Sequence, residues 1–329
     1  MSEKNTTREF WVQQPGRGEI VTRRLDPVGP GDVLVRALCS GISRGTESLV
    51  FRGQVPESRY EAMRAPFQDG DFPGPVKYGY ISVGVVEAFG EDVDGLLGAR
   101  VFCLHPHQDR YVVPVSAVTV LPSDVPDGRA VLAANMETAV NAVWDAHVSV
   151  GDRVLVVGAG VVGLLIAWLI ARIPSTDVTI VDPNTFRAAA AEHLGIHFAS
   201  EASSGMDADV VVHASGNPDG LSTALAAAGM EGRVVEVSWF GDRPVTLPLG
   251  EAFHDRRITI RSSQVGRLPP DRLPRWSYAR RMAVALDLLA DESLDVLVTG
   301  ESEFDDLPEV MERLAHSGED TLCHRIRYT

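Results

Sequence analysis

Residues 154–163 read Val-Leu-Val-Val-Gly-Ala-Gly-Val-Val-Gly, an apolar run that enters a G-x-G-x-x-G turn. An apolar stretch from Leu164 to Ile173 leaves the turn and reads as a helix. A second apolar run, Val178 to Val181, ends in Asp182, nineteen residues after the last glycine. Strand, glycine turn, helix, strand and terminal acid together form the pattern of a βαβ unit that holds a dinucleotide. Gly158 permits the tight turn. Gly160 lets the backbone approach a pyrophosphate at the helix N-terminus, where Val161 and Val162 follow and free N–H groups favour an anion. Gly163 lets helix and strand pack closely. Asp182 can accept hydrogen bonds from both adenosine ribose hydroxyls and would repel a 2′-phosphate, so NAD is favoured over NADP. Arg187, five residues on, reads as a solvated helix residue; its alternative reading is a partner that weakens the NAD preference.

The chain has 329 residues, enough for two domains, and no apolar run approaches membrane-spanning length. Residues 1–9 are polar and show no apolar signal core. Cys39, Cys103 and Cys323 make no metal-type spacing, which fits a reducing cytoplasm. A net charge of −15 argues against nucleic acid or an anionic membrane as partner and leaves a small molecule. The only lysines are Lys4, expected in a loose tail, and Lys77.

The first third reads as β-rich, with short apolar runs at 32–37, 81–88, 100–104 and 111–115 split by Gly and Pro turns. The middle alternates strand and helix, with further strands at 210–214, 233–237 and 257–261, which implies a parallel sheet covered by helices. A helix is expected near 279–290, a short strand near Val296 and a helix from Leu307 to His316. The fold class is α/β. A dinucleotide fold that begins near residue 138 implies a separate N-terminal β-domain. The expected partition is 1–136 with 267–329 against 137–266.

These pieces, in order, resemble the medium-chain dehydrogenase/reductase superfamily of alcohol and polyol dehydrogenases. Pro30–Val35, Gly41–Glu47, Gly79–Gly84, Gly151–Val154 and the segment from Ala285 to Gly300 sit where that family has its early strand, its G-[IV]-C-x-[ST]-D and G-H-E-x-x-G segments, its G-D-x-V lead and its closing segment. The segment Ser40–Glu47 is also similar to the branch that oxidises the hydroxyethyl side chain of bacteriochlorophyllides. The resemblance implies a GroES-like β-domain beside a doubly wound Rossmann domain, and a homodimer through a sheet edge near Val245 to Leu249. It places Arg44 against the cofactor pyrophosphate, and Thr138, Ala214, Ser215, Gly216, Ser263 and Gln264 among the cofactor-lining residues.

The departures from the family pattern bear on chemistry. Ser43 stands at the position of the catalytic Cys, Tyr80 at that of the His, Ile81 at the following acid and Ala134 at the third ligand. Only Cys103 lies where the structural zinc lobe would be. Tetrahedral zinc needs three good ligands and an open position, so no zinc is expected. Side chains must then polarise the carbonyl and deliver the proton. Tyr80 is the first candidate donor, with Lys77 as a charge that lowers the phenol pKa or binds an acidic group. Ser43 or Thr46 could supply a hydroxyl relay. Glu47 reads as a general base, a ribose anchor or a solvated helix acid. His105 and His107, one residue apart on an extended segment, point the same way; they read as structural, as substrate or proton-transfer groups, or as metal ligands. Glu137 has a similar split. The other histidines read as structural. Trp239 and Phe240 line a substrate mouth or the core, and Arg52, Arg59 and Arg64 form a cationic rim or a solvated face.

The expectation is a zinc-independent, NAD-linked enzyme that interconverts a secondary alcohol and a ketone. Three alternatives remain: an enoyl-type reductase, a zinc enzyme with ligands relocated to Glu47, His105, His107 and Glu137, and a dinucleotide-binding protein without turnover.

Overall fold

The computed structural model describes residues 5–203, 205–316 and 320–329. Lys4 lies outside the described residues. The chain divides into two compact units, one of residues 1–134, 286–292 and 298–329, the other of residues 135–285 and 293–297.

The first unit is built mainly on antiparallel strands. Its organising element is the strand Asp32–Ile42, along which Val33, Val35, Ala37 and Cys39 alternate inward. Period-two burial of this kind follows from a sheet with one buried face. The strand pairs with Ser82–Phe89 along one edge. Along its other edge it pairs with Arg110–Pro114 at its start and with Cys323–Arg327 at its end. Val33, Val35, Val86, Val101, Tyr111 and Val113 fill the core beneath. A smaller sheet places Thr6–Gln14 between Arg17–Arg24 and Val76–Lys77. The end of the central strand delivers Ser40, and Ser43 then caps the helix Arg44–Phe51.

The second unit holds a six-stranded, wholly parallel sheet. Its order is His197–Ala199, Asp177–Val181, Arg153–Val157, Ala208–His213, Ala228–Glu236, Thr259–Ser262. Numbered by appearance this is 3-2-1-4-5-6, with the reversal of direction between Arg153–Val157 and Ala208–His213. The central strands are buried on both faces, so Val154–Val157 and Val210–Val212 read as unbroken apolar runs rather than alternating ones. The α/β class and the doubly wound sheet are as expected.

Several boundaries differ from the sequence reading. The helix after the glycine turn spans Val161–Ile170, because Gly160 is its N-cap and Val161 and Val162 form its first turn. It stops short of Pro174, which disfavours helix at Ile173. The Thr176 hydroxyl donates to the Ile170 and Ile173 carbonyls there (2.8 and 2.9 Å). Near Val296 the chain forms a 3-10 turn, and the strand follows at Val298–Glu303. Residues 267–285, expected with the β-domain, cluster with the parallel-sheet unit, where the buried Arg281 guanidinium bonds Glu137 and Asn141. Residues 245–249 form no strand. Val245 and Leu247 pack on the core instead, and the outer strand of the sheet is Thr259–Ser262.

Candidate cofactor and catalytic sites

The glycine turn joins the first strand of the parallel sheet to the helix Val161–Ile170. Gly158 has φ +109°, and a Cβ there would lie 2.6 Å from the Ser215 backbone. A Cβ on Gly163 would lie 1.9 Å from the Gly158 carbonyl, so helix and strand touch there. Above Gly160 nothing lies within 4 Å of a would-be Cβ. This open cradle faces the first helical turn, whose N–H groups have no partner within the helix. The residues present therefore fit a pyrophosphate.

Asp182 sits at the mouth of the turn with its carboxylate fixed. The Ala159 N–H donates to Oδ2 (2.8 Å) and the Asn184 N–H to Oδ1 (2.9 Å). Each oxygen keeps a lone pair for a further hydroxyl donor. Arg187 is buried, not solvated as expected, with only 8 % of its surface exposed. Ala214 and Gly216 are half-buried and Ser215 is exposed on the turn after Ala208–His213. Thr138 is half-buried on the helix Ala133–Ala146. The Ser263 hydroxyl donates to the buried Asp145 carboxylate (2.8 Å) and its N–H to the Glu236 carbonyl (2.8 Å), which leaves only its own carbonyl without these partners, while Gln264 is exposed. Phe240 packs on the core and Trp239 is half-buried.

In the β-rich unit one hydrogen-bonded network gathers most of the expected catalytic residues. The Tyr80 phenol donates to Ser43 Oγ (2.5 Å). Glu47 is 3 % exposed, so the solvated reading fails. Its Oε1 accepts the Ser43 backbone N–H (2.7 Å) at the helix start, where a carboxylate is favoured. Its Oε2 lies 2.9 Å from His107 Nε2. An ionised carboxylate only accepts, so Nε2 carries the proton and Nδ1 accepts from the Ser40 hydroxyl (2.7 Å). Ser40 Oγ in turn accepts from the Tyr328 phenol (2.9 Å). Burial pushes the Tyr80 phenol up to about 12, and the Glu47 charge adds to this, while hydrogen bonds to Ser43 and Thr46 pull the other way. The phenol is thus a proton donor at neutral pH.

Other expected members stand elsewhere. Lys77 is buried, and its ammonium donates to Glu9 Oε1 (3.2 Å) and Gln108 Oε1 (3.1 Å). It does not lower the Tyr80 pKa; the phenol moves the opposite way. His105 and His107 do not share a direction. His105 stacks on Tyr111 with ring centroids 3.7 Å apart, and burial holds its imidazole down to about 3, hence neutral. Glu137 is paired with Arg281 (3.1 Å), and burial raises its carboxyl. The Arg44 guanidinium donates to the Thr321 carbonyl (3.0 Å). Arg52 bonds Gln54 and the Ala315 carbonyl, and Arg64 pairs with Asp71, so of the expected rim only Arg59 is simply exposed. Among the described residues no three His, Cys, Asp or Glu side chains converge as a metal site requires. Ser43, Tyr80 and Ala134 do not fit zinc. Ser40 and Tyr328 were not among the expected residues; only strand pairing brings them to His107.

No family model matches the chain. The D-guloside 3-dehydrogenase of Escherichia coli K12 is 24% identical over 289 residues, covering 80% of this chain and 83% of that one. A Sinorhizobium meliloti chain solved with NADP superposes with a TM-score of 0.79 at 18% identity, covering 98% of this chain and 99% of its own. A short-chain alcohol dehydrogenase of Escherichia coli CFT073, solved with NADH, gives 0.77 at 19% identity over 98% and 99% of the two chains. The structural likenesses show the shared fold, and the guloside enzyme, a dehydrogenase by name, carries the likeness into sequence.

Proposed function

We propose that this chain is an NAD-linked oxidoreductase that reduces a ketone to a secondary alcohol, and that it does so without zinc. The observation that carries the reading is the Tyr80–Ser43 pair at the positions of two family metal ligands, backed by the Glu47–His107 pair. A bound nicotinamide would supply hydride chemistry at the carbonyl carbon. The protein must then stabilise and protonate the oxygen, on which negative charge develops. Tyr80 suits that task because burial keeps it protonated. Its O–H donates to the Ser43 hydroxyl, which is positioned by the helix that Glu47 anchors. His107 holds Glu47 from the other side, and Ser40 and Tyr328 fix the imidazole.

Asp182 supports NAD as cofactor, since its fixed carboxylate favours two ribose hydroxyls over a phosphate. The guloside relative is by name a dehydrogenase at ring position 3, which supports a secondary alcohol on a ring or similar medium-sized molecule as product.

Elemental analysis of untagged protein purified without chelator tests the zinc-free reading. Less than about a tenth of an equivalent of zinc, with ketone reduction retained, is expected for a site whose side chains cannot complete a tetrahedral shell. A full equivalent, removed by chelator together with activity, would overturn it.

A further inference from the structure

We propose that Ser215, His213 and Glu236 form a nucleophilic triad, and that Ser215 accepts an acyl group from activated carboxylic esters. The inference rests on the parallel-sheet unit alone, and its nucleophile is a residue that the dehydrogenase reading places beside the cofactor.

The geometry is that of a hydroxyl, a base and an orienting acid. Ser215 Oγ lies 2.6 Å from His213 Nε2. His213 Nδ1 lies 2.9 and 2.8 Å from the two Glu236 carboxylate oxygens. Because the carboxylate only accepts, Nδ1 carries the proton and Nε2 is left to take one from the serine. His213 is fully buried and Glu236 half-buried, whereas Ser215 is exposed on its turn, where its Oγ also accepts from the Asn217 N–H (3.1 Å). His213 was read from sequence as structural; its partners lie two and twenty-three residues away.

Local structure keeps the array open at one point. Ser215 sits on the turn between the strand Ala208–His213 and the helix Pro218–Ala227, the strand–turn–helix setting that presents a nucleophile. Gly216 follows with φ +67° and makes the turn. Gly220 lies in the first turn of the helix, where glycine is a poor former. A Cβ there would lie 2.5 Å from Ser215 Oγ and 2.8 Å from His213 Nε2, so only glycine clears the pair. The Ser238 N–H bonds Glu236 Oε1 (2.7 Å), which fixes the acid. The Gly216 N–H is held by Ser238 Oγ (3.0 Å), a neutral partner that a developing oxyanion would displace.

In the step itself, Ser215 Oγ adds to the ester carbonyl carbon as its proton passes to Nε2. The bond to the leaving alcohol then breaks, and the alcohol takes that proton. Water repeats the sequence on the acyl-serine and releases the acid. No electrons are exchanged.

The test uses the full chain with p-nitrophenyl acetate and with a fluorophosphonate, and peptide mass spectrometry locates the adduct. The expected result is an adduct on Ser215, absent in Ser215→Ala and formed at least ~100-fold more slowly in His213→Gln and Glu236→Gln, as for loss of a base or its orienting acid. Because His213 is in the core, Glu236→Gln decides the question if His213→Gln fails to fold. No adduct on Ser215, or an adduct that forms within about threefold of the wild-type rate in Glu236→Gln, would overturn the triad.

Discussion

Replacing Tyr80 by phenylalanine removes one oxygen and the hydrogen bond to Ser43. A neutral hydrogen bond contributes roughly 0.5–1.5 kcal/mol net, so the variant is expected to fold and melt close to wild type. The effect on turnover is larger. With the phenol pushed up to about 12, only about one molecule in 10⁵ is ionised at pH 7, so the residue enters the reaction as an acid. A positioned general acid contributes typically 10²–10⁴-fold, which is roughly 3–5 kcal/mol of barrier. The expected result is a loss of that size in kcat for NADH-dependent reduction of a panel of cyclic ketones, with NADH affinity unchanged.

The phenol also carries a pH signature. Its folded pKa is raised above the unfolded value near 10, so its stabilising contribution is complete below pH 10 and is lost as pH rises toward 12. Two units at 1.36 kcal/mol each amount to about 3 kcal/mol across that window. In urea melts the wild type, slightly the more stable below pH 10, should therefore fall below the variant by roughly 1–2 kcal/mol as pH climbs through that window, and the variant should lack one tyrosinate step in the absorbance titration. A kcat within about threefold of wild type, or an unchanged tyrosinate titration, refutes the assignment of Tyr80 as donor.

Three further outcomes follow from the same geometry. Asp182→Ala frees the Ala159 and Asn184 amides and removes the ribose acceptor, so NADH affinity measured by fluorescence should fall at least tenfold while NADPH affinity falls less; an equal loss for both cofactors would contradict the NAD reading. Gly163→Ala forces a Cβ to within 1.9 Å of the Gly158 carbonyl, so a loss of roughly 1–3 kcal/mol in urea unfolding is expected together with weakened dinucleotide binding, and unchanged stability would show that the close packing is not needed. Glu47→Gln leaves His107 and the Ser43 amide with a weaker acceptor in a buried site, and roughly 1.5–3 kcal/mol should be lost; a midpoint unmoved within error would show that the pair is not structural.

The parallel-sheet unit was legible because its signals are local. Val154–Val157 is apolar without alternation since both faces are covered, Gly158 and Gly163 are where a side chain has no room, and Asp182 ends the next strand. Each can be read within thirty residues. The β-rich unit was legible only as short strands. Its chemistry depends on strand pairing that joins His107 to Glu47 sixty residues away and Ser40 to Tyr328 almost the full length of the chain away. Nothing near Lys77 in sequence announces Glu9 and Gln108 as its partners. The His105 and His107 spacing suggested a shared direction, but stacking on Tyr111 takes one ring and Glu47 takes the other. Arg187 looked solvated for a similar reason: a charged residue in a helical stretch carries no mark of what covers it.

The burial of Lys77 reaches beyond catalysis. It is the only lysine among the described residues, and its ammonium is closed in by Glu9 and Gln108. Amine acylation follows access to solvent, so a reagent that modifies residue 77 reports the opening of that corner of the sheet. A lysine-directed protease likewise finds no site between residues 5 and 329 of the folded chain. One side chain thereby serves as a built-in gauge of unfolding, with no label to introduce and only Lys4, at a separate peptide, to tell apart from it.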